Sequence, residues 1–355
     1  MKKNPKWQVQ LSIYITQGEP TKIEKTKNWK TAIGLQEVDG LKPSEYLVET
    51  AKEHIEGKIN FKEVKSRINS YYEVVEDNKK EETKLSEEAD KVAVRIAEVL
   101  SDDSFVFSPT ELINIHKKLF QDCFTHAGKI RNKNFIKKEW VLNNDSVTYA
   151  PFEIIIPSLE YDFLQEKNFS YKNLSLEEST KHLSRFASDI WQVHPFKEGN
   201  TRTTAVFIIK YLKTFGFILN DDTFANNSWY FRNALVRANY KNFSKNIFED
   251  TSYLEKFFLN LLTDANYELK NRYAHIDYID KDEKIYYKDC TLEEQAILKL
   301  VKENPNIKQE QIGKLIKKST RTINTIMKQM QQKGLLTRKN GKKNGKWEIF
   351  SHIVI

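Results

Sequence analysis

The sequence contains only two cysteines in 355 residues, Cys123 and Cys290, and they lie far apart in unrelated contexts. This scarcity argues against a disulfide framework and a cysteine-based zinc site, so a reducing, cytoplasmic location is the expectation. No stretch of about 18 consecutive apolar residues is present, which argues against a membrane-spanning helix. Gln8, Gln10 and Ser12 interrupt the apolar part of the N-terminus, so we also expect no secretory signal peptide.

The sequence also lacks internal repeats and low-complexity segments. Its 39% hydrophobic and 30% charged residues are typical of a soluble globular protein, and its length suits two or three domains. The net charge of +8 is uneven, because residues 290–355 carry 14 lysines and arginines against 5 acidic residues. That surplus of nine leaves about −1 for the remaining residues, so only the C-terminal segment is expected to meet an anionic partner.

The spacing of apolar residues predicts a mainly α-helical fold. Ser44 is a candidate cap for one helix, Ser86 for another, and Ser175 with Glu178 forms a candidate capping box. Residues 138–150 differ, because two strand-like runs flank a turn and predict a β-hairpin. We expect a helical region at 1–85, a core at 86–274, a linker at 275–289 and a further domain at 290–355.

The segment HPFKEGNTR, residues 194–202, separates two predicted helices, the second of which is apolar on all sides and hence buried. Gly199, Asn200 and Thr201 stand at the start of that helix, where free backbone N–H groups and the helix dipole favour a phosphate. Arg202 adds a cation that can hold two phosphate oxygens, and the side-chain amide of Asn200 is a further donor.

Two residues of the same loop supply the other parts of a phosphoryl-transfer site. Glu198 offers the oxygen ligand that Mg²⁺ prefers, and this ion commonly bridges nucleotide phosphates. His194 has a side chain suited to taking a proton near neutral pH. A base beside a phosphate-binding helix terminus indicates the transfer of a phosphorus centre to an attacking hydroxyl.

These residues resemble the Fic family, whose loop reads H-P-F-x-[D/E]-G-N-x-R, and residues 86–270 are similar to a Fic core. The resemblance implies a protein adenylyltransferase that moves AMP from ATP, with Mg²⁺, to a Tyr, Thr or Ser hydroxyl of a target protein and of itself. It gives His194 the role of base and Glu198 the role of metal ligand. Residues 199–202 would bind the phosphates. It also implies that the 138–150 hairpin, through Trp140, Val141 and Leu142, docks a target segment as an added strand.

Residue 205 departs from the pattern of many family members, which place a second arginine there to reach the γ-phosphate. Here the residue is Ala205, so the resemblance leaves open whether AMP or another phosphorus-containing group is transferred. The rival hypothesis is a DNA-binding transcriptional regulator whose Fic core is inactive or only senses nucleotide. The target protein and the oligomeric state, including a homodimer, also stay open.

The segment around Asp39 resembles a degenerate copy of the inhibitory pattern [S/T]-x-x-x-E-[G/N] found in many Fic enzymes, with Leu35 and Asp39 at the specified positions. Asp39 is therefore a candidate inhibitory residue, and the alternative is that residues 20–75 only complete the fold. Because aspartate is shorter than glutamate and Ala205 carries no charge, we expect weak inhibition, with a few-fold effect of Asp39→Ala.

Residues 291–350 resemble a winged helix-turn-helix, with three predicted helices and a hairpin whose tip is rich in glycine, asparagine and lysine. Such a domain places a helix in the major groove and a wing against the backbone of duplex DNA. The alternative is a winged helix used for protein contact. The DNA-contact candidates are Arg321, Asn324 and Lys328 on the helix and Lys342 and Lys343 on the wing.

Overall fold

The structure is a computed structural model that describes residues 7–8, 10–11, 20–75, 81–217, 219, 221–263, 265–278, 290–339 and 345–349. The mainly α-helical fold is confirmed, and none of the helices within those ranges combines the length and apolar character that crossing a bilayer needs. The helices are α1 (Pro20–Gly34), α2 (Glu45–Ile55), α3 (Phe61–Val75), α4 (Glu81–Ser101), α5 (Pro109–Phe120), α6 (Ile155–Asn168), α7 (Leu176–Val193), α8 (Asn200–Thr214), α9 (Asp221–Ala238), α10 (Ser252–Leu262), α11 (Leu292–Glu303), α12 (Gln309–Leu315) and α13 (Thr320–Gln332).

Helix α8 forms the centre of the core. Every residue from Asn200 to Leu212 is buried, as the apolar pattern of this segment predicts. Helices α4, α5 and α7 pack around α8, and a short 3-10 helix, Leu35–Asp39, also lies against it. The predicted loop therefore enters the central helix directly, so its backbone is fixed by the best-packed part of the fold.

The N-terminal helices pack closely on this core. Helix α1 lies along α4 and α9, and Ser44 caps α2 as predicted, its hydroxyl accepting from the N–H of Leu47 at 3.0 Å. The prediction that a helix opens at Ser86 is wrong, because α4 already begins at Glu81. Acidic residues at its first two positions favour this earlier start through the helix dipole.

The predicted β-hairpin at residues 138–150 is not formed. Trp140–Leu142 is a 3-10 helix, and Asn143 and Asn144 follow it in the left-handed conformation. Val141 and Leu142 are both fully buried, whereas neighbouring residues of a strand point to opposite faces. The turn is closed by backbone hydrogen bonds between Glu139 and both residues 144 and 145, so it is a compact loop without a strand edge.

The C-terminal winged helix is confirmed. Helices α11 to α13 are followed by strands β1 (Leu336–Lys339) and β2 (Lys346–Ile349), which pair antiparallel with Leu336 opposite Ile349. Ser319 caps α13, its hydroxyl accepting from the N–H of Thr322. This domain packs on the core, since α11 contacts α7, and a Cβ atom at Gly216 would lie 2.5 Å from the Cα atom of Ile316.

Candidate active site

The HPFKEGNTR loop joins the C-terminus of α7 to the N-terminus of α8. His194 ends α7 in the left-handed conformation with φ 49°, and Gly199 precedes α8 with φ 77°. A Cβ atom at Gly199 would lie 2.4 Å from a ring carbon of Phe120, so glycine is required by both backbone conformation and space. The turn places residues 199–201 at a helix N-terminus, whose backbone N–H groups lack intrahelical acceptors.

The side chain of Asn200 holds the loop together from within. Its Oδ1 accepts from the backbone N–H of Phe196 at 3.0 Å, and its Nδ2 donates to the carbonyl of the same residue at 2.7 Å. The sequence predicts a donor to phosphate at this position. The carboxamide instead fixes the turn, and only the second N–H of Nδ2 is left to meet a ligand.

The imidazole of His194 is buried and neutral. Burial and then the positive charge of Lys137 lower its pKa well below the usual range. Nδ1 lies 3.3 Å from the carbonyl oxygen of Trp191, a contact that is a hydrogen bond only when Nδ1 carries the proton. Nε2 has no hydrogen-bond partner within the described part of the chain. The free lone pair of Nε2 is thus available to accept a proton.

Two aromatic side chains of the loop formed by residues 132–150 pack against His194. This loop includes residues 138–150, where the sequence predicts a hairpin. The ring of Tyr149 stacks on the imidazole with centroids 3.9 Å apart, and Phe135 meets it edge-on at 5.6 Å. The hydroxyl of Tyr149 is itself buried without a partner among the described residues. Because Nε2 of His194 is buried, a hydroxyl group can reach it only if surrounding side chains move, so the structure shows a closed site.

Arg131 joins the first residues of the HPFKEGNTR loop to the loop of residues 132–150. Its Nε donates to the carbonyl of His194 at 2.7 Å, its backbone N–H donates to the carbonyl of Pro195 at 2.9 Å, and its Nη2 donates to the carbonyl of Ala150. A buried guanidinium with five fixed donors can hold several carbonyls in one geometry. No motif in the sequence analysis singles out Arg131.

His116 holds the other half of the loop. Its Nδ1 accepts from the backbone N–H of Gly128 at 2.8 Å, so Nε2 carries the proton and donates to the carbonyl of Glu198 at 3.0 Å. The imidazole stacks on Phe196 with centroids 3.7 Å apart, and burial lowers its pKa to about 4. No spacing pattern in the sequence marks this role, because the contact with Glu198 joins residues 82 positions apart.

Arg202, the predicted phosphate cation, is fully buried and surrounded by acceptors. Its Nε lies 2.8 Å from Oδ2 of Asp39, an ion pair whose angle at the N–H is not that of a hydrogen bond. Its Nη2 donates to Glu88 at 2.7 Å and its Nη1 to Gln36 at 3.1 Å. The guanidinium also lies over the ring of Phe120, 4.7 Å from the centroid. Protein groups therefore fill the positions that a phosphate would need.

Asp39 reaches Arg202 because of the turn on which it lies. The 3-10 helix Leu35–Asp39 ends at Gly40, whose left-handed conformation (φ 71°) stops it. The carboxylate of Asp39 is shared, since its Oδ1 lies 3.3 Å from Nη1 of Arg232 on α9. The sequence predicts only weak inhibition by Asp39, and it assigns no inhibitory contact to Arg232.

Glu198 is exposed beside the N-terminus of α8, and no cluster of three or more potential metal ligands occurs in the described residues. A single carboxylate still fits Mg²⁺, because this ion is commonly held by one or two carboxylates together with substrate phosphates and water. The exposed position of the carboxylate leaves room for such a complex.

The remaining predicted residues lie apart from this loop. Trp140 is about half exposed and contacts Trp229 and His275, while Val141 and Leu142 are core residues and offer no docking edge. The carbonyl of Val141 already accepts from the N–H of Ile276. On α13 the side chains of Arg321, Asn324 and Lys328 are exposed along one face, whereas Lys342 and Lys343 lie outside the described residues.

Comparisons with known proteins agree with this geometry. A model of the Fic/DOC family matches residues 106–212, and a model described as winged helix-turn-helix DNA-binding matches residues 294–337. The chain is 28% identical over 158 residues to the protein adenylyltransferase VbhT of Bartonella schoenbuchensis, a match that covers 41% of this chain and 32% of that protein. The chain thus spans about a third of the length of this relative. Together with the loop geometry, these matches establish that the chain contains a Fic/DOC family domain at residues 106–212, followed by a winged helix-turn-helix at residues 294–337.

Proposed function

We propose that this chain transfers AMP from ATP to a Tyr, Thr or Ser hydroxyl of a target protein and of itself. The observation that carries the proposal is the neutral His194, whose Nε2 lone pair is free and whose loop leads directly into the N-terminus of α8. A base and an anion-binding helix terminus on one rigid loop are the parts that in-line phosphoryl transfer needs. The family assignment supports the same reaction class.

In this mechanism the target hydroxyl attacks the α-phosphorus of the nucleotide. The new oxygen–phosphorus bond forms as the bond to the bridging oxygen breaks and pyrophosphate leaves. Nε2 of His194 takes the hydroxyl proton, and its Nδ1–H, which faces the carbonyl of Trp191, keeps the ring in the required tautomer. The backbone N–H groups at 199–201 and the guanidinium of Arg202 stabilise the charge on the phosphates.

Glu198 is the proposed ligand of Mg²⁺, which would neutralise phosphate charge when bound. The carbonyl of Glu198 is fixed by His116, so the backbone that carries the carboxylate is held in place while the side chain stays in solvent. Because only the backbone of Glu198 is fixed, its carboxylate can approach a metal–nucleotide complex without disturbing the loop.

Asp39 is the proposed inhibitor of this reaction. Its carboxylate pairs with Arg202, so a nucleotide must displace it before its own phosphates can bind the guanidinium. The 3-10 helix that carries Asp39 also supplies Gln36 to the same guanidinium. Activation then requires that the segment Leu35–Asp39 moves away from α8.

Incubation of the purified protein with labelled ATP and Mg²⁺, with and without lysate, tests the proposal. Covalent label that appears on protein in the Asp39→Ala variant, and disappears when His194→Ala is added, is the expected result. An absence of label with ATP and with every other nucleotide tried would overturn it.

A second function rests on a separate observation, the exposed polar face of α13 in the winged helix-turn-helix. We propose that Arg321, Asn324 and Lys328 on this face contact duplex DNA. The wing lysines Lys342 and Lys343 complete the proposed contact set. A regulator that only senses nucleotide in its Fic domain would bind DNA in a nucleotide-dependent way and would transfer no label.

A further inference from the structure

One carboxylate in the structure holds two arginines from different elements. Asp39 places Oδ2 2.8 Å from Nε of Arg202, which belongs to the anion-binding helix α8, and Oδ1 3.3 Å from Nη1 of Arg232 on α9. Two guanidiniums that contact the two oxygens of one carboxylate are both within reach of a single anionic ligand at that place. When Asp39 leaves, both cations face the space that it occupied.

Arg232 is also held by Glu139, which lies outside the 3-10 helix that carries Asp39. Its Nη2 donates to both carboxylate oxygens of Glu139, at 2.9 and 3.1 Å, and its Nη1 donates to the carbonyl of Val38 at 3.3 Å. The pair with Glu139, which lies in the loop of residues 132–150, fixes the plane of the guanidinium. When the segment that carries Val38 and Asp39 moves away, the Glu139 pair still holds Nη2, and Nη1 becomes free to meet a new acceptor.

Charges of both signs surround Arg232: burial opposes its charged form, but the charges of Glu139 and Asp39 raise its pKa on balance. Burial, and next the charge of Arg232, lowers the pKa of Lys137, whose Nζ forms no ion pair or hydrogen bond within the described ranges. The charges of Lys137 and Arg232 both contribute to the lowered pKa of His194. When Asp39 leaves, Arg232 loses one of the two carboxylates that compensate its charge, and a phosphate can take that place.

Helix α8 itself supplies no second cation near Arg202. The residue one turn later is Ala205, which is fully buried. Arg202 is the single arginine of the HPFKEGNTR loop, so an additional arginine for the phosphates beyond the first comes from another element. Arg232 satisfies this requirement, because it already shares an anionic ligand with Arg202.

We propose that Arg232 binds the distal phosphates of the nucleotide after Asp39 has left, and that it determines the preference for a triphosphate over a monophosphate. This inference rests on the proposed nucleotidyl transfer. Arg232 exchanges one anion, Asp39, for another while keeping its contact with Glu139. The side chain of Arg232 thereby links nucleotide binding to the position of the loop of residues 132–150, which carries Glu139.

Calorimetric binding of Mg-ATP and of AMP to full-length variants tests the inference, with Asp39→Ala as the background that opens the site. Addition of Arg232→Gln should weaken ATP binding about tenfold or more and change AMP binding less than about twofold. Arg232→Lys, which keeps the charge, should retain most of the ATP preference and guards against a folding defect. The matched control is Arg67→Gln, which breaks an exposed ion pair with Glu53 and should change neither affinity.

Equal losses of ATP and AMP affinity in the Arg232→Gln variant, or no loss of either, would overturn the inference. Labelled transfer measured on the same proteins separates this failure from failure of the proposed function. If Asp39→Ala transfers label but Arg232→Gln leaves the ATP preference intact, only the inference fails. If Asp39→Ala binds ATP with the expected preference but transfers nothing, only the proposed transfer fails, and if it binds no nucleotide, both are wrong.

Discussion

The carboxylate of Asp39 lies 2.8 Å from Nε of Arg202, although 163 residues separate the two in the sequence. Arg202 is buried, and its other acceptors, Glu88 and Gln36, also come from elements that precede the Fic domain match. A buried guanidinium needs such partners, because an unpaired buried charge is costly. A nucleotide that binds the guanidinium of Arg202 would have to displace these contacts.

Replacement of Asp39 by alanine should raise auto-labelling by more than about 30-fold, equivalent to ~2 kcal/mol of transition-state free energy. The expectation from the sequence is only a few-fold effect of this substitution, because the side chain of aspartate reaches less far than that of glutamate. The observed contact distance shows that Asp39 nevertheless reaches Arg202. Initial rates with labelled ATP measure the ratio, and Glu53→Ala, at a remote exposed ion pair, is the control. A ratio below about threefold would show that the contact does not limit nucleotide binding.

Replacement of Glu198 by alanine should reduce Mg²⁺-dependent transfer and leave the fold intact, because the side chain is exposed. The concentration of Mg²⁺ needed for half-maximal labelling should rise, and the melting temperature should stay within the error of the wild-type value. A fall in melting temperature of several degrees would assign Glu198 a structural role instead. Lys197→Ala, a neighbouring exposed residue, serves as the matched control.

His116 should make the stability of the protein sensitive to acid. Its pKa is about 4 in the folded state and about 6.5 in the unfolded chain, so the unfolded state binds more protons between these values. The stabilising contribution is complete above pH 6.5 and is lost as the pH falls toward 4.

The comparison with His116→Gln isolates this contribution. Wild type should lose up to about 1.4 kcal/mol of unfolding free energy per pH unit relative to the variant over that range. Urea denaturation at several pH values measures the difference, and the raised pKa values of Asp90 and Asp162 cancel because both proteins contain them. A difference that stays constant with pH would mean that His116 is not held neutral.

Replacement of Arg321 by alanine should weaken duplex DNA binding at low salt and reduce the dependence on salt concentration by about one counterion. Point variants are preferable to removal of residues 290–355, since that domain packs on α7 and against Gly216. Lys62→Ala on the exposed side of α3 is the control. Undiminished binding, or a wild-type protein that binds no DNA at any salt concentration, would favour the protein-contact interpretation of the winged helix.

Local signals in the sequence predict much of the fold. The caps at Ser44 and Ser175 are confirmed, because capping depends on hydrogen bonds to N–H groups three residues away. The HPFKEGNTR loop is also recognisable from the sequence, because the conformation of Gly199 and the N-terminus of α8 depend on the local backbone. Winged-helix topology also follows from local periodicity and turn residues.

Long-range contacts explain what the sequence does not predict. Arg131, His116 and Arg232 act through partners more than 60 residues away, and no spacing rule connects them to the loop. The hairpin prediction failed for a related reason. An Asn-Asn turn suits a hairpin as well as a compact loop, and only tertiary packing buries Val141 and Leu142 together.

The most direct test compares the mass of the Asp39→Ala protein with that of Asp39→Ala/His194→Ala after incubation with Mg-ATP. His194 supplies the only proposed base, and its free Nε2 is the feature on which the proposed transfer depends. The first protein should gain the mass of one or more AMP groups on Tyr, Thr or Ser, and the second should gain none at equal folding. Equal modification of both proteins, or modification of neither in the presence of bound ATP, would contradict the account.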